Sequence, residues 1–244
     1  MKALLFAAGV GSRLRPLTDA GPKALIPVDG VPLLERALVH LKEAGCDSFV
    51  VNAHHFADQV AGFCGSLASR YGVKVRVSRE DDLLLETGGG LKKAAPLLAG
   101  DEPFFIRNAD VVTDLDLTAM LAAHRAASPL ATLAVRERAS SRAFLFDKDG
   151  RLVGHVDAKK GSTRWAHGPV SGTHRRSFDG VHIASPLLPG RITEDGVFSI
   201  VDSYLRLAGE GADIRAFDAS RWSWFDVGTP EKLAAAESWA SRRK

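Results

Sequence analysis

Several groups of residues in this chain of 244 residues have the types and spacing for phosphate chemistry. The segment Ala7-Ala8-Gly9-Val10-Gly11-Ser12-Arg13 follows a short apolar run. Glycines there let a backbone approach a phosphate closely, and successive N–H groups can cradle an anion. Arg13 and Arg15 add guanidinium charge that matches phosphate geometry, and Lys23 follows between two prolines that stiffen its stretch, Pro22 and Pro27. A Gly-x-Gly pair is equally the mark of a plain strand-to-helix turn. This one has Leu14 where the dinucleotide fingerprint has its third glycine, and it lacks the Gly-Lys-Ser/Thr of a P-loop.

Two aspartates far apart in the chain, Asp110 and Asp226, each follow an apolar segment. Two carboxylates at strand ends suit one Mg²⁺, a hard cation that takes one or two carboxylates together with phosphate oxygens. An aspartate there is also an ordinary turn or helix cap. The segment Glu86-Thr87-Gly88-Gly89-Gly90 reads as a flexible loop ahead of a helix, able to approach a ligand or simply to link. Asn52, His54 and His55 end another strand. Residues 157–178, with Lys159, Lys160, Arg164, His167, His174, Arg175 and Arg176, read as a long basic loop, either a solvated face or a mobile lid over an anionic substrate.

These groups must be held by a scaffold, and the hydrophobic pattern supplies one. Apolar runs at 3–7, 48–53, 73–77 and 104–108 alternate with helical periodicity at 34–41, 56–70, 91–98 and 117–127. Strand and helix in alternation predict an α/β fold, Rossmann-like, a three-layer sandwich with a mostly parallel central sheet. Ligands of such sheets bind at the carboxyl ends of the strands. The loops after Ala7, Asn52, Ser78 and Asn108 therefore form the expected rim of one site. The second half predicts a hairpin over 144–156 with Asp-Lys-Asp-Gly at its turn, strands at 181–184, 213–217 and 222–227, and a helix over 200–208. A last helix begins at Thr229-Pro230-Glu231: a cap, a proline at the first position and an acid in the first turn. With no repeat and no linker, residues 1–244 read as one domain.

Bulk composition excludes several classes. A hydrophobic fraction of 45% and a charged fraction of 25% are those of a folded globular chain. The net charge of +3 and the absence of basic runs interleaved with aromatics argue against nucleic acid as a partner. No stretch approaches the ~20 apolar residues of a membrane span. Cys46 and Cys64 lie too far apart for a metal or redox motif and read as reduced thiols, so a cytoplasmic protein is expected.

The string Phe6-to-Thr18, Phe-Ala-Ala-Gly-Val-Gly-Ser-Arg-Leu-Arg-Pro-Leu-Thr, followed by Pro-Lys-Ala-Leu-Ile-Pro-Val-Asp-Gly-Val-Pro-Leu-Leu-Glu over 22–35, resembles the signature of the sugar nucleotidyltransferases, the NDP-sugar pyrophosphorylases. Asn108-Ala109-Asp110 resembles the family's first metal motif, Asn-Gly-Asp, and Phe225-Asp226-Val227-Gly228-Thr229 its second. The resemblance implies a GT-A-like version of the Rossmann-type fold. It implies that Gly9, Gly11, Ser12 and Arg13 hold the triphosphate, that the backbone near Ala7 and Gly9 faces the nucleoside, and that Arg13 and Lys23 are catalytic. Asp110 and Asp226 would hold Mg²⁺, and Asn52, Thr87 and Gly88 would contact the nucleotide. Asp179 and Gly180 align with a segment that lines the sugar pocket. The Leu-Glu-Thr-Gly-Gly-Gly version of the base loop resembles the branch of N-acetylmuramate-1-phosphate uridylyltransferases and of guanylyltransferases for mannose or heptose phosphates. Ala109 and Glu86 depart from glycines in the family pattern. A positive φ at Ala109 would cost about 1 kcal/mol or more.

The activity implied is condensation of a nucleoside triphosphate, UTP or GTP, with a sugar 1-phosphate, releasing pyrophosphate, by a monomer or homodimer. Two other readings remain open: a cytidylyltransferase for phosphocholine-like substrates, and a regulatory module that binds nucleotide without turnover.

Overall fold

The structure, a computed structural model, describes residues 1–243. Its strands are β1 (Lys2–Phe6), β2 (Pro27–Val28), β3 (Val31–Pro32), β4 (Ser48–Ala53), β5 (Lys74–Arg79), β6 (Phe104–Asn108), β7 (Val111–Thr113), β8 (Ala131–Arg136), β9 (Arg142–Phe146), β10 (Leu152–Asp157), β11 (Ser162–Trp165), β12 (His174–Ala184), β13 (Ile214–Asp218) and β14 (Trp224–Asp226). Its α-helices are α1 (Leu33–Glu43), α2 (Ala57–Tyr71), α3 (Glu86–Leu98), α4 (Leu117–Ala127), α5 (Ile200–Gly209) and α6 (Pro230–Ser241).

The main sheet is mixed. β5, β4, β1 and β6 run parallel side by side. β12 then joins β6, β8 and β9 in antiparallel pairing, and β13 adds to β8 in parallel. Successive residues of each strand face opposite layers. Leu5 and Val51 pack with Leu38, Leu41, Val60 and Met120 of α1, α2 and α4 on one face. Leu4 and Val50 pack with Leu91, Ala94, Tyr204 and Leu207 of α3 and α5 on the other. Continuous apolar runs are what burial on both faces requires, and the expected three layers result. A smaller cluster joins Leu14, Val28 and Leu33 to Leu233 and Ala236 of α6, so the last helix supports the first loop.

Two expectations need correction. Gly88, Gly89 and Gly90 are not a flexible loop but lie inside α3 and are buried. Close approach explains them. A Cβ on Gly89 would lie 2.5 Å from the Gly196 carbonyl oxygen, and one on Gly90 would lie 2.9 Å from Glu80 Oε1 and 3.1 Å from Asn52 Nδ2. Gly88 abuts the Phe198 ring and donates its N–H to the Phe198 carbonyl at 2.9 Å. The helix accepts glycine's weak propensity because nothing larger fits. Gly89→Ala is thus an overpacking substitution against backbone, of about 1–3 kcal/mol. It should lower the melting temperature by roughly 3–10 °C; an unchanged melting curve would contradict this packing.

Residues 157–178 are not a long loop. β11 pairs with β10, and His174 to Arg176 of β12 pair with β9. These strand segments stand largely in water on both faces, so no apolar alternation betrays them. The three arginines of this stretch are tied down: Arg164 pairs with Asp202 at 2.5 Å, Arg176 with Glu137 at 3.3 Å, and Arg175 donates to the Ser140 carbonyl at 2.7 Å.

Candidate active site

The carboxyl ends of β1, β4 and β6 open on a chamber of about 360 Å³. Ala7, Ala8 and Gly9 form one wall, Glu86 and Thr87 at the start of α3 face them, and Asn52 and Asp110 lie between. A second chamber of about 410 Å³ lies beyond Asp110, bounded by Arg138, Asp179, Gly180, Trp224 and Asp226. The chambers share Asn108, Asp110 and Arg142 as walls, so they are two ends of one cleft.

Each side chain has a local cause for its position. Asp110 follows β6 directly, and its carbonyl accepts the Val227 N–H at 2.9 Å. β14 pairs with β7 so that Asp226 stands opposite Val111, which brings the two aspartates together from 116 positions apart (226 − 110). Lys23 is buried and donates to Asp110 Oδ2; Lys232, in the first turn of α6, donates to Asp226 Oδ2 at 2.8 Å. Arg13 is exposed and lies across Gly228, whose absent Cβ would stand 2.9 Å from Arg13 Nη2 and 3.4 Å from Asp226 Oδ1. Gly11, at φ +67, folds the loop over Lys23, and a Cβ there would meet Lys23 Cβ at 3.0 Å.

The rest of the predicted set divides. Ala7, Gly9, Asn52 and Thr87 line the first chamber, whereas Gly11, Ser12 and Arg13 stand on the loop outside its wall, and Gly88 is enclosed beneath Phe198. Asp179 and Gly180 line the second chamber. The Asp179 carboxylate, however, is buried and held by Arg136 at 2.8 and 2.9 Å. Burial pushes its pKa up, and Arg136 opposes the rise. Gly180, at φ +75, lets Asn108 pack within 2.8 Å of where a Cβ would be. His54 bonds the Glu80 carbonyl at 2.5 Å and His55 rests on Phe56, both apart from the chambers.

Ala109 has no positive φ; it is buried and donates its N–H to the Phe6 carbonyl at 3.0 Å, so the departure from glycine strains nothing. Glu86 does adopt a positive φ, +59, which is the conformation glycine would take most easily.

Sequence reading missed Glu80, Arg138, Arg142 and Trp224. Glu80 is buried, accepts from Asn52 Nδ2, and takes the Leu85 N–H at 2.9 Å, so it ties the end of β4 to the start of α3. A lone acid just past a strand of alternating Val and basic residues was its only signal.

Residues 3–174 match the family described as the MobA-like NTP transferase domain. The chain belongs to the MobA-like NTP transferases. Its similarity to curated proteins extends along its whole length: it is 35% identical to the N-acetylmuramate alpha-1-phosphate uridylyltransferase of Neisseria meningitidis serogroup B, with 100% of each chain covered. It is 29% identical to the catalytic subunit beta of mannose-1-phosphate guanylyltransferase of Drosophila pseudoobscura pseudoobscura, over 94% of this chain and 60% of that one. The fold matches HddC from Yersinia pseudotuberculosis complexed with GMP-PN at a TM-score of 0.76 and 20% identity, over 98% of this chain and 99% of the other. Within the family this is a sugar-1-phosphate nucleotidyltransferase, an enzyme that joins a nucleoside triphosphate and a sugar 1-phosphate. The phosphocholine and non-catalytic readings give way to it. No described helix is long and apolar enough to cross a membrane.

Proposed function

We propose that the enzyme transfers UMP from UTP to N-acetylmuramate 1-phosphate in the cytoplasm. The observation that carries this reading is the 35% identity to a uridylyltransferase of that substrate across the full length of both chains. GTP with mannose 1-phosphate is the second reading, favoured by the guanylyltransferase match over 94% of this chain.

The nucleotide occupies the first chamber, its base against Thr87 and Asn52 and its phosphates against the Ala7-to-Arg13 loop. The sugar phosphate enters from the second chamber. One of its phosphate oxygens attacks the α-phosphorus in line; the bond to the β-phosphate bridging oxygen breaks, and pyrophosphate leaves. The attacking oxygen is already ionised at pH 7, so the protein need supply no general base. Its work is positioning and charge neutralisation. Lys23 and Arg13 offset the charge that builds on the leaving pyrophosphate. Asp110 and Asp226 are a hard oxygen pair with lysine ammonium groups against them, a donor set that fits a divalent cation among phosphates. Mg²⁺ held there would supply Lewis-acid polarisation of the α-phosphate.

The test crosses UTP, GTP, CTP and dTTP with N-acetylmuramate, mannose and glucose 1-phosphates and reads pyrophosphate release. UTP with N-acetylmuramate 1-phosphate should give the highest kcat/KM. Highest activity with GTP and mannose 1-phosphate would install the second reading instead.

A further inference from the structure

The second chamber contains a guanidinium that the protein orients and leaves without a carboxylate. Arg138 stacks on Trp224, 4.2 Å from the ring centroid. That ring is fixed: its Nε1 donates to the Asp179 carbonyl at 2.9 Å, and Arg136 lies against it at 5.6 Å. Arg136 is itself held by Asp179 and by the Trp222 carbonyl at 3.0 Å. Arg138 therefore stands on a rigid platform. Of its five N–H donors, the protein engages Nη2, which reaches the Phe178 carbonyl at 3.3 Å. Partial loss of water lowers the guanidinium's pKa, and the nearest acids, Asp179 and Asp226, oppose this.

The neighbouring cations differ. Lys23, Lys232 and Arg136 are each paired with a carboxylate. Among the described residues, Arg138 and Arg142 have none within 4.0 Å. Their places also differ. Arg142 walls both chambers beside Asp110, where the sugar's phosphate must meet the nucleotide; Arg138 walls only the second. Arg138 thus reaches the body of the sugar rather than its phosphate. A stacked, planar, pre-oriented fork of donors matches a planar bidentate anion.

We propose that Arg138, on its Trp224 platform, binds a carboxylate carried by the sugar, so that the enzyme selects sugar-acid 1-phosphates over neutral ones. The proposal rests on the reading of the second chamber as the sugar site. It makes Arg138 a specificity determinant, distinct from the phosphate-handling Lys23, Arg13 and Arg142.

Two matched pairs of substrates test it on the full chain: N-acetylmuramate against N-acetylglucosamine 1-phosphate, and glucuronate against glucose 1-phosphate. Each pair differs in a carboxylate. Wild type should favour the acid of each pair by about tenfold to a hundredfold in kcat/KM. Arg138→Gln should erase that preference, with the neutral sugar held within about threefold; Arg138→Lys, which keeps the charge but not the fork, should retain part of it. Melting curves establish that the variants fold. Equal loss on acid and neutral sugars would assign Arg138 to the shared phosphate and overturn the proposal, as would a wild type without preference. Calorimetric binding of the same pairs gives a readout independent of turnover. If no sugar phosphate reacts, the transferase reading of the site fails, while acid-selective binding lost in Arg138→Gln would still uphold the carboxylate subsite and its absence would remove it.

Discussion

Lys23→Ala and Asp226→Ala should each lower turnover about a hundredfold to a thousandfold, the range found when one pre-organised group facing transition-state charge is removed, while the fold survives. Lys23 is the only one of these groups that touches both parts of the proposed machinery. Its ammonium bonds Asp110, and its stem lies under Gly11 of the phosphate loop. Without it the departing pyrophosphate loses a cation in a pocket where water cannot replace it fully. The Asp110 side chain is 28% exposed, so the carboxylate left behind remains wetted and the stability cost stays near that of a weak ion pair. Asp226 is similarly open, and its partner Lys232 is half-exposed and free to turn to solvent. The two variants are separable by metal dependence. Asp226→Ala should need more Mg²⁺ for half-maximal rate, whereas Lys23→Ala, which frees Asp110 from its ammonium partner, should need no more Mg²⁺ than wild type and should lose kcat. Near-normal turnover in either would refute the role given to that residue.

Legibility in the sequence followed the source of each constraint. β1, β4, β6, α1 and α4 emerge within a residue or two of their predicted ends because burial on one or both faces writes a period into the chain. The cap at Thr229, with its side chain accepting from the Lys232 N–H, is a local signal and was equally plain. Gly88 and Gly89 of α3 misled because their cause is Phe198 and Gly196, more than a hundred positions away. β11 and the first turn of residues in β12 misled because strands wet on both sides need no apolar alternation. The site divides likewise. Arg13, Lys23, Asp110 and Asp226 stand in strings of unusual composition. Arg138 and Arg142 are two arginines in a polar stretch that runs from the end of β8 to the first residue of β9, and only the antiparallel pairing of β12 with both strands brings that stretch over Asp110 and Trp224.

Acidification from pH 7 to pH 5 should destabilise the fold steeply. Three histidines are nearly sealed from water: His124 at 2% exposure, His155 at 8% and His182 at 1%. Burial is the chief cause that lowers each pKa, to about 4 for His124 and His155 and about 3 for His182; Arg125 adds to the first and Arg164 to the second. Neutral partners fix the rings: Thr132 Oγ1 at 2.8 Å for His124 and Tyr204 Oη at 2.5 Å for His182, while His155 meets the edge of Phe144. The folded values lie below the unfolded value of 6.5, so as pH falls the unfolded chain takes up protons first and gains. The stability these residues provide is whole above about pH 6.5 and drains from about 6.5 down to about 4 for His124 and His155 and to about 3 for His182. Each contributes a slope of about 1.4 kcal/mol per pH unit, and His40, lowered to about 3 by burial and by Arg107, adds a fourth, so the four together approach about 5–6, against a total stability of about 5–15 kcal/mol. Urea midpoints at pH 5, 6, 7 and 8 should drop sharply below 6.5, and His155→Phe should flatten the decline by about a quarter. A midpoint unchanged between pH 7 and 5 would overturn the account. Because the attacking phosphate needs no base, initial rates at saturating substrate should stay nearly flat from pH 8 to 6 and then fall in step with the folded fraction. A rate that fell well before the fold did would show that a titrating group takes part in the chemistry after all.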